Sequence, residues 1–154
     1  MVKKVHTDKN VLLADERTQQ VVYLSPTHPG KTHDKRIADE ANLHYPPGTR
    51  LTQDTGFQGY APAGVHIIQP KKQMRGQWLS ATDLIANQLK AQARVLIEHV
   101  MAGIKRCRSV KDVLRNTQPG FSDQVMHIAC ALHNLRTDFR YLRSDHYQLQ
   151  LYFR

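Results

Sequence analysis

A mixed α/β domain, a sheet flanked by helices, is the fold class the sequence predicts, and three observations predict it. Short apolar runs of strand length occupy the first half, and apolar positions at helical spacing fill the second. The elements also come in the order strand, strand, helix, strand, then helices, which fits neither a bundle nor a sandwich. At 154 residues, one hydrophobic core is the default.

Taken in order, Val11-Leu12-Leu13-Ala14 and Gln20-Val21-Val22-Tyr23-Leu24 flank the polar stretch Asp15-Glu16-Arg17-Thr18-Gln19, and the three together read as a hairpin. Pro29-Gly30 ends the second strand. Thr32 is placed to cap a short helix over residues 33–43, which Pro46-Pro47-Gly48 closes. Arg50-Leu51-Thr52-Gln53 reads as a third strand, the Gly-, Pro- and aromatic-rich residues 54–64 as a loop, and Val65-His66-Ile67-Ile68 as a further short strand. The polar, basic residues 70–78 suit an exposed excursion. Helical spacing returns over residues 82–106, the longest element, with Thr82 as N-cap. A last helix is expected over residues 122–136, with Phe121 and Met126 forming a hydrophobic staple across its start.

Composition narrows the function classes. The chain is 40% hydrophobic and 23% charged, too apolar for a disordered polymer. Its 22 Lys and Arg against 13 Asp and Glu leave a formal charge of +9 and a pI near 9.8, which favours a polyanionic partner. Cys107 and Cys130 stand far apart and no apolar leader precedes them, so a reducing, cytoplasmic setting is expected. No apolar run approaches the ~18 residues that a membrane-spanning helix needs.

The long helix carries the sharpest local pattern. At about 100° per residue, Arg94, Glu98 and Lys105 fall within an arc of roughly 40°. Ile85, Leu89, Ala93, Leu96, Ile97, Val100 and Ile104 occupy a separate apolar arc, so the helix is amphipathic with an ionic row. By themselves these three charges describe a solvated face with an Arg94–Glu98 pair worth a few tenths of a kcal/mol.

Set beside other segments, the row gains meaning. Arg94-xxx-Glu98-xxxxxx-Lys105 resembles the signature around the third carboxylate of DDE transposases. Pro29-Gly30-xx-His33-Asp34 is similar to that family's helix-opening motif, and Gln53-Asp54-Thr55-Gly56-Phe57-Gln58-Gly59-Tyr60 to the segment with its second carboxylate. Ile68-Gln69-Pro70-Lys71-Lys72, Asn87-Gln88-Leu89, Ile97-Glu98-His99 and Leu132-His133-Asn134-Leu135-Arg136 continue the match in family order. The likeness is greatest to the insertion-sequence and Harbinger-like transposases of the DDE superfamily endonucleases.

That resemblance implies a ribonuclease-H-like fold over residues 1–140, followed by a tail over residues 141–154. Family members carry their first Asp on a strand preceding the Lys-Lys-x-His-Thr segment, and here Lys3-Lys4-Val5-His6-Thr7 abuts Met1. The fold is therefore expected to be incomplete, with its first central strand and first Asp missing. Asp8 and Asp15 are not substitutes, because both belong to the second strand and its turn.

By the same resemblance, Asp54 and Glu98 are the catalytic, metal-binding carboxylates, and the cofactor is a divalent metal, Mg²⁺ or Mn²⁺, which demands oxygen ligands. Arg94, Lys105, Arg106, Arg108 and Lys111 are the expected DNA-phosphate contacts, and His33 and Asp34 read first as a cap and dipole partner of the helix start, with the positioning of Asp54 as their alternative role. Ala91 stands where related transposases often carry a Tyr, so no Tyr-dependent chemistry is expected. His127, Cys130 and His133 lie on one helix without zinc-type spacing and are expected to pack in a core. Phe57, Tyr60 and Trp78 suit base stacking or burial equally.

Two functions follow. One is a DNA endonuclease and strand transferase, inactive alone, acting on transposon ends and target DNA with an upstream transposase polypeptide. It would be nucleoid-associated and a homo-oligomer when complete. The other is a non-catalytic DNA-binding or regulatory transposase remnant.

Overall fold

The computed structural model describes residues 8–70, 80–112, 114–116 and 118–152, without the side chains of residues 81, 83–86, 88–94 and 141–152. The Lys3-to-Thr7 segment, Lys71, Lys72 and Trp78 lie outside the described residues, as do the side chains of Ile85, Leu89, Ala93 and Arg94. The chain falls into two compact units, one of residues 1–11 and 25–96, the other of residues 12–24 and 97–154.

In the first unit, β1 (Asp8–Lys9) runs antiparallel to β4 (His28–Pro29). Val11 and Ser25 extend this pairing. Their backbones bond at 2.8 Å, and the buried Ser25 hydroxyl accepts the Val11 N–H at 2.8 Å while donating to the Pro26 carbonyl. Helix α1 (Asp34–Ala41) buries Ile37 and Ala38 and exposes paired charges on its other side, Lys35 with Asp39 and Arg36 with Glu40 at i, i+4. Thr32 is not its cap. His33 holds the N-cap position without a side-chain bond, while the Thr32 carbonyl accepts from the Lys9 ammonium at 3.1 Å. The helix stops at Asn42, whose left-handed backbone (φ 44°) closes it before the prolines are reached.

The expected third and fourth strands form as β5 (Arg50–Thr52) and β6 (His66–Ile68), and they pair in parallel. The Gln53 N–H extends the ladder to the Ile68 carbonyl at 3.0 Å. Between them a single 3₁₀ turn, Thr55–Phe57, follows Asp54.

In the second unit, β2 (Leu12–Ala14) and β3 (Val21–Leu24) make the expected hairpin, with a register shift between Leu13 and Ala14. Thr18 N–H and hydroxyl both bond the Asp15 carboxylate in its turn, and these bonds hold that carboxyl below its ordinary pKa. Helix α2 (Ala81–Ile104), whose residues 97–104 belong to this unit, starts one residue before Thr82, which therefore sits inside the first turn rather than capping it. Its last two turns bury Val100 and Ile104, while Ile97, expected inside, is 37% exposed. A short helix α3 (Arg108–Lys111) leads to α4 (Phe121–Tyr152), which runs well past the expected end at residue 136. No glycine or proline stands between residues 121 and 154 to stop it.

Val100, Ile104, Ala129 and Cys130 form the buried centre of this unit, with hairpin residues Leu12, Ala14, Val21 and Leu24 packed against it. Burial pushes the Cys130 thiol pKa up. A different face of α4 leaves Ile128, Leu132, Leu135 and Phe139 about half exposed. The α/β class is thus observed, but the single mixed sheet is not. Among the described residues the strands form three two-stranded sheets, two antiparallel and one parallel.

Candidate active site

Asp54 is the first residue beyond Gln53 at the carboxyl end of β5, the place where parallel strands present ligand-binding groups. Its exposed carboxylate accepts the Thr55 N–H at 2.7 Å, capping the 3₁₀ turn. Its carbonyl accepts from the Gln69 amide at 2.7 Å and from Phe57 N–H at 3.0 Å, so the backbone beneath the carboxylate is fixed from two sides. Next to it Gln53 is buried and donates to the Phe57 and Tyr60 carbonyls, while its Oε1 is buried without a partner among the described residues.

The glycines of this segment have steric reasons. A Cβ on Gly56 would meet Asp34 Oδ2 at 2.6 Å, so the turn after Asp54 can lie against α1 only without a side chain there. Gly59 has φ +84°, a conformation that L-residues rarely adopt, and delivers Tyr60 into the core, where its hydroxyl lies 3.2 Å from that of Tyr45. Asp34 accepts an ion pair from Lys9 at 3.0 Å. The structure therefore brings Asp34 to the Asp54 turn, whereas His33, one residue earlier, is exposed at the helix start.

Glu98 is exposed on α2 and belongs to the second unit. Lys105 lies one residue past the helix, but its N–H still bonds the Met101 carbonyl at 2.9 Å, which keeps it on the helical path and on the arc shared with Glu98. Arg94 lies on α2, in the other unit. Arg106 is exposed. Arg108 and Lys111 are exposed on α3, and Arg108 makes a long 3.7 Å contact with Asp112. Among the described residues no three His, Cys, Asp or Glu side chains converge on a metal-sized point, and His127, Cys130 and His133 do not share the core expected for all three. His127 is exposed, while the other two are buried.

Three residues of the His133-Asn134-Leu135-Arg136 run have a structural task that sequence reasoning missed. Asn134 donates to the Val21 carbonyl and accepts the Val21 N–H, both at 2.8 Å, taking the place of a neighbouring strand on the outer edge of β3. His133 Nε2 meets the carbonyl of Gln19, a residue held at φ 57°, at 2.9 Å. Arg136 donates to the Gly103 carbonyl at 2.6 Å, satisfying one of the unpaired carbonyls that end α2. The segment ties α4 to both the hairpin and the end of α2.

Between α2 and α4 lies an open pocket of about 240 Å³, lined among others by His99, Gly103 and Arg106 from one side and His133, Arg136 and Arg140 from the other. Of these, the sequence analysis gave a DNA-contact role only to Arg106, while His99, His133 and Arg136 stood in segments that carry the family resemblance. The signal was present in the spacing, since residues 99, 103 and 106 and residues 133, 136, 137 and 140 each describe one helix face.

Comparison with known proteins gives three findings. A family model described as DDE superfamily endonuclease matches residues 2–134. The chain is also similar to the "Probable transposase for insertion sequence element IS702" of Microchaete diplosiphon, at 24% identity over 116 residues. That alignment covers 75% of this chain and 42% of the relative, so the chain spans under half the length of the transposase it matches. No solved structure matches it.

Proposed function

Because this chain belongs to the DDE superfamily endonucleases, we propose that it is part of a transposase catalytic domain and contributes two carboxylates, Asp54 and Glu98, to a divalent-metal site that cuts DNA. The observation that carries this is the placement of Asp54. It is an exposed carboxylate at the carboxyl end of a parallel strand, on a turn pinned by Gln69 and Phe57 and shaped by Gly56 against Asp34. Glu98, exposed on an amphipathic helix and followed by Lys105 and Arg106, is the second oxygen donor.

The donor chemistry fits a hard cation, since both groups are carboxylates. Asp54 and Glu98 would hold it, and when bound it supplies activation of water or a 3′-hydroxyl and stabilisation of the leaving oxygen. The protein's own part is to fix Asp54 on its turn, to keep Glu98 on a rigid helix, and to place Lys105 and Arg106 where phosphate charge needs neutralising. Two carboxylates leave a two-ion site one bridging ligand short. That ligand is assigned to a strand outside these 154 residues, and the pairing of β5 with β6 alone among the described residues supports the assignment by leaving room for a further strand.

The test is nicking of transposon-end DNA by a transposase polypeptide containing this segment, in Mg²⁺. Asp54→Ala and Glu98→Ala should each lower the rate by orders of magnitude, because metal ligands act as a unit. Full activity in either variant would exclude that residue from the site.

A further inference from the structure

We propose that the pocket between α2 and α4 is a binding site for the phosphodiester backbone of DNA, a reading that rests on the assignment of DNA-cutting chemistry above. Its walls hold three guanidiniums, Arg106, Arg136 and Arg140, with His99 and His133 beside them, and among the described residues that line it none is acidic. Clustered like charges are unfavourable unless a counter-charge sits among them, and guanidinium is the group best matched to phosphate oxygens.

The three arginines are not spent on internal pairing. Among the described residues neither Arg106 nor Arg140 has a carboxylate partner. Arg136 uses two N–H groups, one on the Gly103 carbonyl and one on the Leu132 carbonyl, leaving three of its five donors. Gly103 makes the geometry possible. A Cβ there would meet His133 Cε1 at 2.7 Å, so only glycine lets α4 lie this close and carry its arginines to the end of α2.

The pocket's place favours a polymer over a free phosphate. Its α2 wall includes Ala102, one helical turn from Glu98, and beyond Arg106 the chain continues into the exposed Arg108 and Lys111 of α3. A basic track running from the carboxylate to α3 matches a backbone that continues past the phosphate being cut. Contacts of this kind hold DNA in register without reading its sequence.

The experiment uses the 154-residue chain and a fluorescein-labelled 20-base-pair duplex, with affinity read by anisotropy from 50 to 200 mM NaCl. Arg106→Gln/Arg140→Gln is compared with Arg36→Gln/Arg50→Gln, which removes the same charge outside the pocket. Neither pocket arginine holds a structural bond, and matching circular dichroism confirms that the fold is kept. The pocket double variant should flatten the slope of log affinity against log salt by about 1.8, roughly 0.9 for each lost phosphate contact, while the control keeps most of its slope. Equal losses in the two variants would reduce the effect to net charge and overturn the pocket, as would no loss in either or no binding by the parent chain. Failure here is distinguishable from failure of the endonuclease reading, since that reading is tested by nicking in Asp54→Ala and Glu98→Ala, in which every pocket arginine is kept.

Discussion

Asn134 on α4 exchanges two hydrogen bonds with the backbone of Val21, one donated and one accepted, each 2.8 Å long. A side-chain amide here does the work of a neighbouring strand, and an edge that would otherwise be open is closed from within the same unit. Asn134→Ala would leave both backbone groups of Val21 without partners, at a cost of about 1 kcal/mol each. We expect a loss of about 2 kcal/mol, read as a lower urea midpoint with unchanged slope. A shift worth under about 0.5 kcal/mol would mean that water replaces the amide without cost.

Gly103 should be just as intolerant, for a steric reason. The added methyl of Gly103→Ala falls on the His133 ring, which is itself held by the Gln19 carbonyl and cannot swing away without losing that bond. Helix propensity alone predicts a gain of up to about 1 kcal/mol for this change. The expected outcome is a net loss of stability in chemical denaturation, and any stabilisation would show that α4 can shift.

These two contacts mark the boundary of what the sequence discloses. The hairpin, the parallel strands and the amphipathic end of α2 are legible because period and turn chemistry are local, as the burial of Val100 and Ile104 shows. The Thr32 cap fails because the backbone there turns to give its carbonyl to Lys9, a partner 23 residues away. The run from His133 to Arg136 reads as a motif, but its bonds reach residues 30 and more positions distant, so no spacing rule announces them. Asp54 and Glu98 became visible only by resemblance, because an exposed carboxylate has the same local pattern whether it holds a metal or faces water.

The 154 residues alone are expected to be silent in supercoiled-plasmid nicking with Mg²⁺ or Mn²⁺. Two acidic groups that could stand in for the missing one are engaged locally: the Asp15 carboxylate is held by Thr18 in the hairpin turn, and Asp34 is paired with Lys9. Supplying the upstream strand with its carboxylate, in cis or in trans, should restore nicking. Robust activity of the chain alone that vanishes in Glu98→Ala would show that Asp8, Asp15, Asp34 or a second copy provides the third ligand.

The central claim is that Asp54 and Glu98 serve one metal centre, and the measurement that addresses it most directly is a crystal structure of the transposase soaked in Mn²⁺, with the metal located by anomalous scattering. With carboxylate–metal bonds of ~2.1 Å and paired ions ~4 Å apart, the two carboxylates should lie within roughly 10 Å of each other, with Mn²⁺ between them. Asp54 and Glu98 on opposite faces, with Mn²⁺ bound elsewhere, would contradict the account.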